Sequence, residues 1–301
     1  MVRRHEPDDQ AAGLRRLLGG QSILRTLGIF GPDAELNAIA GANLAFALSR
    51  RGGNVCLIDE APGPRNIAGQ FGLSPRHNLA QVLRGGLSLD DAMIQAPGDL
   101  QLLDAEQGFA QVAETDEQAW NRLSDDFIRH DWEWLVLAAP PDERPSLALA
   151  APLRVLVLPT VKSRLTEAYA ILKAAHYRQP DARWLTLFMN AGDDNKVDQL
   201  TAALNETAKH FLDIELGLLG ALPKDDQLDM ATRALRPVLE LAPTAPVAQV
   251  VRTLADRLHD ESGQSAQPDA RMFWQRMGLF GRLNPPPRYQ NRHAQHRRAY
   301  G

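Results

Sequence analysis

The chain has 301 residues, of which 44% are hydrophobic and 23% are charged, as is usual for a globular protein. That length accommodates one large α/β domain or two smaller ones. A single cysteine, Cys56, excludes an internal disulfide framework, and no apolar run approaches the length of a transmembrane helix. Residues 1–10 lack the apolar region of a signal peptide, so we expect a cytoplasmic protein.

The net charge of −4 is unevenly distributed along the chain. From Ala270 to Gly301 there are seven arginines and no acidic residue, so this part carries +7 and the remainder −11. A basic end on an acidic body suits a nucleic acid, an anionic lipid surface or an acidic partner, and the charge alone does not choose among them.

Residues 1–20 form the first zone, and the sequence predicts a short amphipathic helix there, roughly Asp8–Leu18. Ala11, Leu14 and Leu18 recur at helical spacing and make one small apolar stripe.

The second zone, residues 21–260, alternates apolar runs with helical patterns. The predicted strands are Ile23–Phe30, Val55–Ile58, Leu100–Leu103, Trp134–Ala138, Val155–Leu158, Trp184–Asn190 and Leu216–Ala221. The predicted helices are Ala38–Arg51, Glu117–His130, Ser163–His176, Lys196–Phe211 and Pro246–His259. Strands that are apolar throughout and separated by helices predict a parallel sheet covered on both faces.

The third zone, residues 261–301, holds a polar linker, a short helix and a Pro/Arg/His-rich end that is predicted to be disordered. Apolar side chains occupy one wide side of the helix, namely Met272, Phe273, Trp274, Met277, Leu279, Phe280 and Leu283. Arg271 and Gln275 lie on the opposite side. This pattern is typical of a helix at a membrane surface, and equally of a terminal helix packed on its own domain. His293 and His296 are spaced like a metal pair but lie in the solvated end, so no metal site is expected.

A series of short motifs runs through the second zone in a fixed order. It comprises Asn43-Leu44-Ala45, Leu57-Ile58-Asp59, Phe71-Gly72-Leu73, Asn78-Leu79, Val82-Leu83-Arg84-Gly85, the segment Ser163–Lys173, the segment Leu218–Asp225 and Arg236-Pro237-Val238-Leu239. The series resembles the MinD/ParA family of deviant P-loop ATPases, and its flagellar-number-control members (FlhG and FleN) are the nearest match. The resemblance implies a doubly wound, mostly parallel sheet of that family's type. The C-terminal helix is likewise similar to the membrane-targeting helix that ends MinD-type proteins.

In that family the phosphate-binding loop reads KGGVGK[T/S], and alignment on Asn43 places this motif on residues 32–38. The loop needs glycines whose backbone N–H groups close around phosphate. The chain has Pro32 in place of the signature lysine, Asn37 in place of the Walker lysine and Ala38 in place of the Mg²⁺-binding hydroxyl residue, with acidic Asp33 and Glu35 between them. The resemblance therefore implies a degenerate site and no ATP–Mg²⁺ cofactor.

Other positions of the family's site differ as well. Asp59 is present, but Ala61 replaces the second carboxylate of its motif, and Ala138 stands where the Walker B aspartate would end its strand. Asn190 and the run from Pro223 to Asp225 match the family's base-binding side. They are explained either by base binding or, as we favour, by packing and turn geometry.

The N-terminal arm adds a second resemblance. Residues 9–15 resemble the DQAxxLR motif of the FlhG activator helix, which engages the signal-recognition-type GTPase FlhF; the implied contacts are Asp9, Gln10, Ala11, Leu14, Arg15 and Leu18. The alternative is a helix that docks on its own domain.

Together these features predict a non-catalytic regulator of flagellar number and placement that acts through an FlhF-type GTPase. The family implies a flagellar C-ring protein or a flagellar transcription activator as further partners, and no direct nucleic-acid contact is expected. If the C-terminal helix binds a membrane, the expected partner is the anionic surface at the inner face of the cytoplasmic membrane. Two alternatives remain, an ATPase with an atypical loop and a MinD-like accessory of polysaccharide secretion.

Overall fold

A computed structural model describes residues 24–106, 108–265 and 269–283. Its strands are β1 (Arg25–Phe30), β2 (Val55–Asp59), β3 (Ile94–Ala96), β4 (Leu100–Asp104), β5 (Trp134–Ala138), β6 (Leu153–Pro159), β7 (Arg183–Ala191) and β8 (Leu216–Pro223). They form one sheet in the order β3-β4-β2-β5-β1-β6-β7-β8. Neighbouring strands run parallel, except that β3 pairs antiparallel with β4 at one edge.

Helices cover both faces of this sheet. They are α1 (Ala34–Arg50), α2 (Ile67–Gln70), α3 (Leu79–Leu83), α4 (Leu89–Ala92), α5 (Gly108–Glu114), α6 (Glu117–Arg129), α7 (Leu165–Arg178), α8 (Asp194–Leu212), α9 (Asp226–Arg233), α10 (Val238–Leu241), α11 (Pro246–Gln264) and α12 (Ala270–Leu283). One apolar cluster lies under α5, α6, α7, α8 and α12, and a second lies under α1, α10 and α11. The prediction of a doubly wound, mostly parallel α/β sheet is confirmed.

Several element boundaries depart from the sequence prediction. Helix α1 begins four residues earlier than predicted, at Ala34, because Asp33 caps it. Helix α11 continues through Gln264, so the predicted linker starts later than residue 260. Strand β3 was not predicted, since three residues are too few to show a periodic pattern.

The predicted N-terminal helix and the basic end beyond Leu283 lie outside the described residues. Within the described ranges, no helix combines the length and the apolar character that crossing a bilayer requires.

Candidate functional site

The turn between β1 and α1 holds three residues, Gly31, Pro32 and Asp33. The Asp33 carboxylate accepts hydrogen bonds from the backbone N–H groups of Glu35 (3.0 Å) and Leu36 (3.1 Å). Free N–H groups at a helix N-terminus are the groups that bind phosphate in P-loop proteins. Here a carboxylate of the chain itself accepts from two of them, and most of the aligned motif is already helical.

Asn37, at the position of the Walker lysine, closes the turn from inside. Its side chain is buried, and its Nδ2 donates to the carbonyl oxygen of Gly31 (2.9 Å). A Cβ atom at Gly31 would lie 2.3 Å from Asn37 Oδ1 and 2.4 Å from the carbonyl oxygen of Val157, so only glycine fits. Ala38 is buried next to Asn37 in the same helix.

Partly exposed ion pairs lie beside this turn. Arg164 lies 3.7 Å from Asp33 and 2.7 Å from Glu167, while Arg65 lies 4.0 Å from Glu35. Pairs of this kind contribute little to stability. They do bring two guanidinium groups to the edge of the sheet where the family binds nucleotide.

Asp59 ends β2 at the same edge of the sheet and is fully buried. Burial raises the pKa of its carboxyl to about 7, although hydrogen bonds from the N–H groups of Ala61 (3.1 Å) and Ile67 (2.7 Å) oppose that rise. Both carboxylate oxygens therefore serve to hold the loop that leads into α2.

Glu60 is a buried carboxylate whose role sequence reasoning missed. It accepts hydrogen bonds from the backbone N–H groups of Phe109 (3.0 Å) and Leu147 (2.6 Å), and from the hydroxyl of Ser146. Burial raises its pKa to about 7. A charged residue directly after an apolar strand was the available signal. Its contacts tie the end of β2 to α5 and to the 3-10 turn Leu147–Ala150.

Ala138 ends β5, between Ile29 of β1 and Asp59 of β2 in the strand register. The structure thus brings the aligned Walker A, Asp59 and Walker B positions together at one edge. No carboxylate stands at the Walker B place, and Ala138 is buried.

The residues aligned with the base-binding side have local structural roles. Asn190 adopts a left-handed backbone conformation (φ +57°), and its carbonyl oxygen accepts from Thr160 Oγ1 (3.0 Å). Asp225 caps α9 through the N–H groups of Gln227 and Leu228, and Pro223 ends β8. These contacts favour the packing interpretation. Among the described residues, no cluster of side chains suited to a metal ion occurs.

The C-terminal helix α12 packs on the protein, which is the second of its two predicted settings, so Phe273, Trp274 and Met277 do not face lipid in this conformation. All three side chains are at most 2% exposed. The Trp274 ring stacks on Phe127 at 4.0 Å between centroids, and its carbonyl oxygen accepts from Trp120 Nε1 (2.8 Å).

Two glycines allow this close contact, because a Cβ at Gly278 would lie 2.2 Å from Trp120 Nε1 and one at Gly281 would lie 2.7 Å from Val112. Of the other predicted membrane residues, Met272 and Leu279 are about half exposed. The side chains of Phe280 and Leu283 lie outside the description, as do all the predicted contacts in residues 9–18.

Known proteins with a similar sequence or a similar fold were found by comparison. No family model matches the chain. It is 27% identical over 226 residues to the antiactivator FleN of Pseudomonas aeruginosa, covering 72% of this chain and 79% of FleN.

Solved structures give the same fold. The MinC:MinD cell division complex of Aquifex aeolicus matches with a TM-score of 0.61 at 19% identity, covering 78% of this chain and 96% of the matched chain. MinD of Pyrococcus horikoshii, solved with Mg-ADP, matches with a TM-score of 0.60 at 18% identity, covering 81% and 100%. The fold is that of the MinD/ParA class of P-loop proteins.

Within that class, the likeness to FleN supports a protein of the FlhG/FleN type, in agreement with the motifs of the sequence.

Proposed function

We propose that this protein regulates flagellar number and placement by binding partner proteins and does not hydrolyse ATP. The observation that carries the proposal is the carboxylate of Asp33, which ends a turn of three residues and accepts from the N–H groups of Glu35 and Leu36 in the first turn of α1. The N–H groups that would bind phosphate therefore already donate to a carboxylate of the chain itself.

Electrostatics and chemistry support the same conclusion. ATP would have to displace Asp33 from its cap, at about 1 kcal/mol, and then bring its phosphates between Asp33 and Glu35. Asn37 offers no positive charge, and Ala38 and Ala138 offer no side-chain oxygen to Mg²⁺. Phosphoryl transfer depends on charges at these places, so their absence argues against catalysis.

The rival proposal, an ATPase with an atypical loop, draws on the Mg-ADP bound to MinD of Pyrococcus horikoshii. That protein shares only the fold at this level of identity. Arg164 and Arg65 lie beside the turn, and both already face carboxylates. We therefore favour the non-catalytic reading.

Two observations support particular partners. The likeness to an antiactivator supports a flagellar transcription activator as one of them. The DQAxxLR-like heptapeptide at Asp9–Arg15 supports an FlhF-type GTPase as another, and a flagellar C-ring protein follows from the family resemblance alone. A role in polysaccharide secretion would leave that heptapeptide unexplained.

A GTP-turnover assay tests the activator role, which does not need the altered ATP site. Side chains that orient the attacking water or neutralise phosphate charge accelerate GTP hydrolysis, and Gln10 and Arg15 are of those types. A peptide of residues 1–20 should raise the turnover of the cognate FlhF. Gln10→Ala should reduce the stimulation of GTP turnover while leaving binding to FlhF largely intact, whereas Leu14→Asp should abolish binding to FlhF. Unchanged turnover with both the peptide and the full chain, under conditions where the GTPase dimer forms, would refute the activator role.

A further inference from the structure

A cleft of about 200 Å³ opens at the amino end of β1, between α6 and α12. Its lining consists of aromatic and aliphatic side chains with a few charged residues, namely Leu24, Phe127, Ile128, Asp131, Trp132, Asp269, Ala270, Arg271 and Trp274. The cleft lies at the opposite end of β1 from the Asp33 turn, so it is separate from the edge where the family binds nucleotide.

The walls of the cleft are suited to an apolar side chain. Phe127 and Trp274 stack on each other, and Ile128 is half-buried beside them. The Trp132 side chain is buried, and its indole Nε1–H meets no acceptor among the described residues.

The rim of the cleft carries acidic charge. Asp131 and Asp269 lie on it, and the Asp269 carboxylate also accepts from the backbone N–H of Met272 (2.8 Å). Among the described lining residues the rim arginine, Arg271, faces Asp125 at 3.5 Å. The rim is therefore complementary to a segment that presents arginine next to apolar residues.

Such a segment begins at the cleft itself. Leu24, which lines the cleft, is the first described residue, and residues 1–23 directly precede it in the chain. The stripe residue Leu18 is six positions away, so it can lie at most about 20 Å from Leu24. Arg15 and Arg16 directly follow Leu14 and match the acidic rim. A tether this short gives an effective concentration on the order of millimolar.

We propose that the N-terminal arm docks into this cleft, with Leu14 and Leu18 against its apolar walls. Docking covers the apolar stripe that the heptapeptide would offer to a partner GTPase, so the protein keeps its own activator segment latched. The regulatory consequence rests on the proposed activator role, whereas the docking itself does not. The GTPase must then displace the arm from the cleft before it is stimulated.

Disulfide trapping in the full-length chain tests the docking. The variant Leu18→Cys with Ile128→Cys should form an intramolecular disulfide under mild oxidation, at a rate independent of protein concentration. The native Cys56 is fully buried and does not interfere. The matched control is Leu18→Cys with Asp260→Cys, because Asp260 is exposed near the same end of the sheet but on helix α11, which covers the other face.

Preferential trapping at position 128 is the expected result. Equal trapping at positions 128 and 260, or trapping only between two molecules, would overturn the latch, the second outcome pointing to a second copy as the occupant.

GTP turnover supplies a second readout. Ile128→Lys should free the arm from the cleft. If the arm is docked nine-tenths of the time, the apparent affinity of the protein for the GTPase is lowered about tenfold. The variant should therefore stimulate the GTPase at about one-tenth of the wild-type concentration, and an unchanged concentration would overturn the latch. Preferential trapping at position 128 without any GTPase stimulation would instead refute the activator role and leave the docking standing.

Discussion

The two ends of β1 differ in what they offer to a ligand. At the carboxyl end, where the family binds nucleotide, the turn is closed by the Asp33 cap and by the buried Asn37 amide. At the amino end, Leu24 borders an aromatic cleft that is lined in part by Trp132, whose indole N–H has no acceptor among the described residues. In our account the sheet serves as a scaffold, and the protein binds protein segments and not ATP.

The largest expected effect concerns the wall of the cleft. Trp274→Ala should lower the free energy of unfolding by about 3–5 kcal/mol, because the ring is buried and stacks on Phe127. Met272→Ala, two residues away and half exposed, should change it by less than about 0.5 kcal/mol. Urea unfolding of both variants measures the difference. Equal losses would mean that α12 does not pack as described.

The glycines of α12 give a smaller effect with an internal control. Gly278→Ala places a methyl group against the Trp120 ring and should destabilise the protein by about 1–3 kcal/mol. Gly263→Ala, at an exposed site in helix α11 with no atom within 4 Å, should be neutral or stabilising by up to about 1 kcal/mol. A stabilising Gly278→Ala would contradict the close approach of α12 to α6.

The smallest of the three effects lies at the carboxyl end. Asp33→Ala removes the α1 cap and should lower the free energy of unfolding by about 1 kcal/mol. Asp142→Ala, whose carboxylate pairs only with exposed Arg144 in the described contacts, should change it by less than about 0.5 kcal/mol. Thermal unfolding compares them. Loss of the cap should not restore ATP binding, and a variant that gained it would show that Asp33 alone blocks the site.

Most of the sheet was predictable, because buried parallel strands are apolar along their whole length. The predicted Trp134–Ala138 coincides with β5, and the predicted Val55–Ile58 is one residue shorter than β2. The start of α1 was missed because the family loop was laid over residues 32–38. An acidic residue before a helical run, as in Asp33-Ala34-Glu35, is itself a helix-start signal.

The sequence pattern of α12 does not determine whether the helix binds lipid or packs on the protein. Lipid and a protein core are both apolar, so the side chains of Phe273 and Trp274 suit either. The choice depends on Phe127 and Trp120, which are more than a hundred residues away in the sequence. The N–H donors of Phe109 and Leu147 to Glu60 are also distant, at 49 and 87 residues from it in the sequence.

The central claim is most directly tested by titrating the full-length protein with ATP and Mg²⁺ in a calorimeter, with solution mass measured in parallel. The account predicts no binding heat and an unchanged mass, since the Asp33 cap, Asn37 and Ala138 replace the groups with which the family holds phosphate and Mg²⁺. Micromolar binding accompanied by an ATP-dependent shift from monomer to dimer would contradict it.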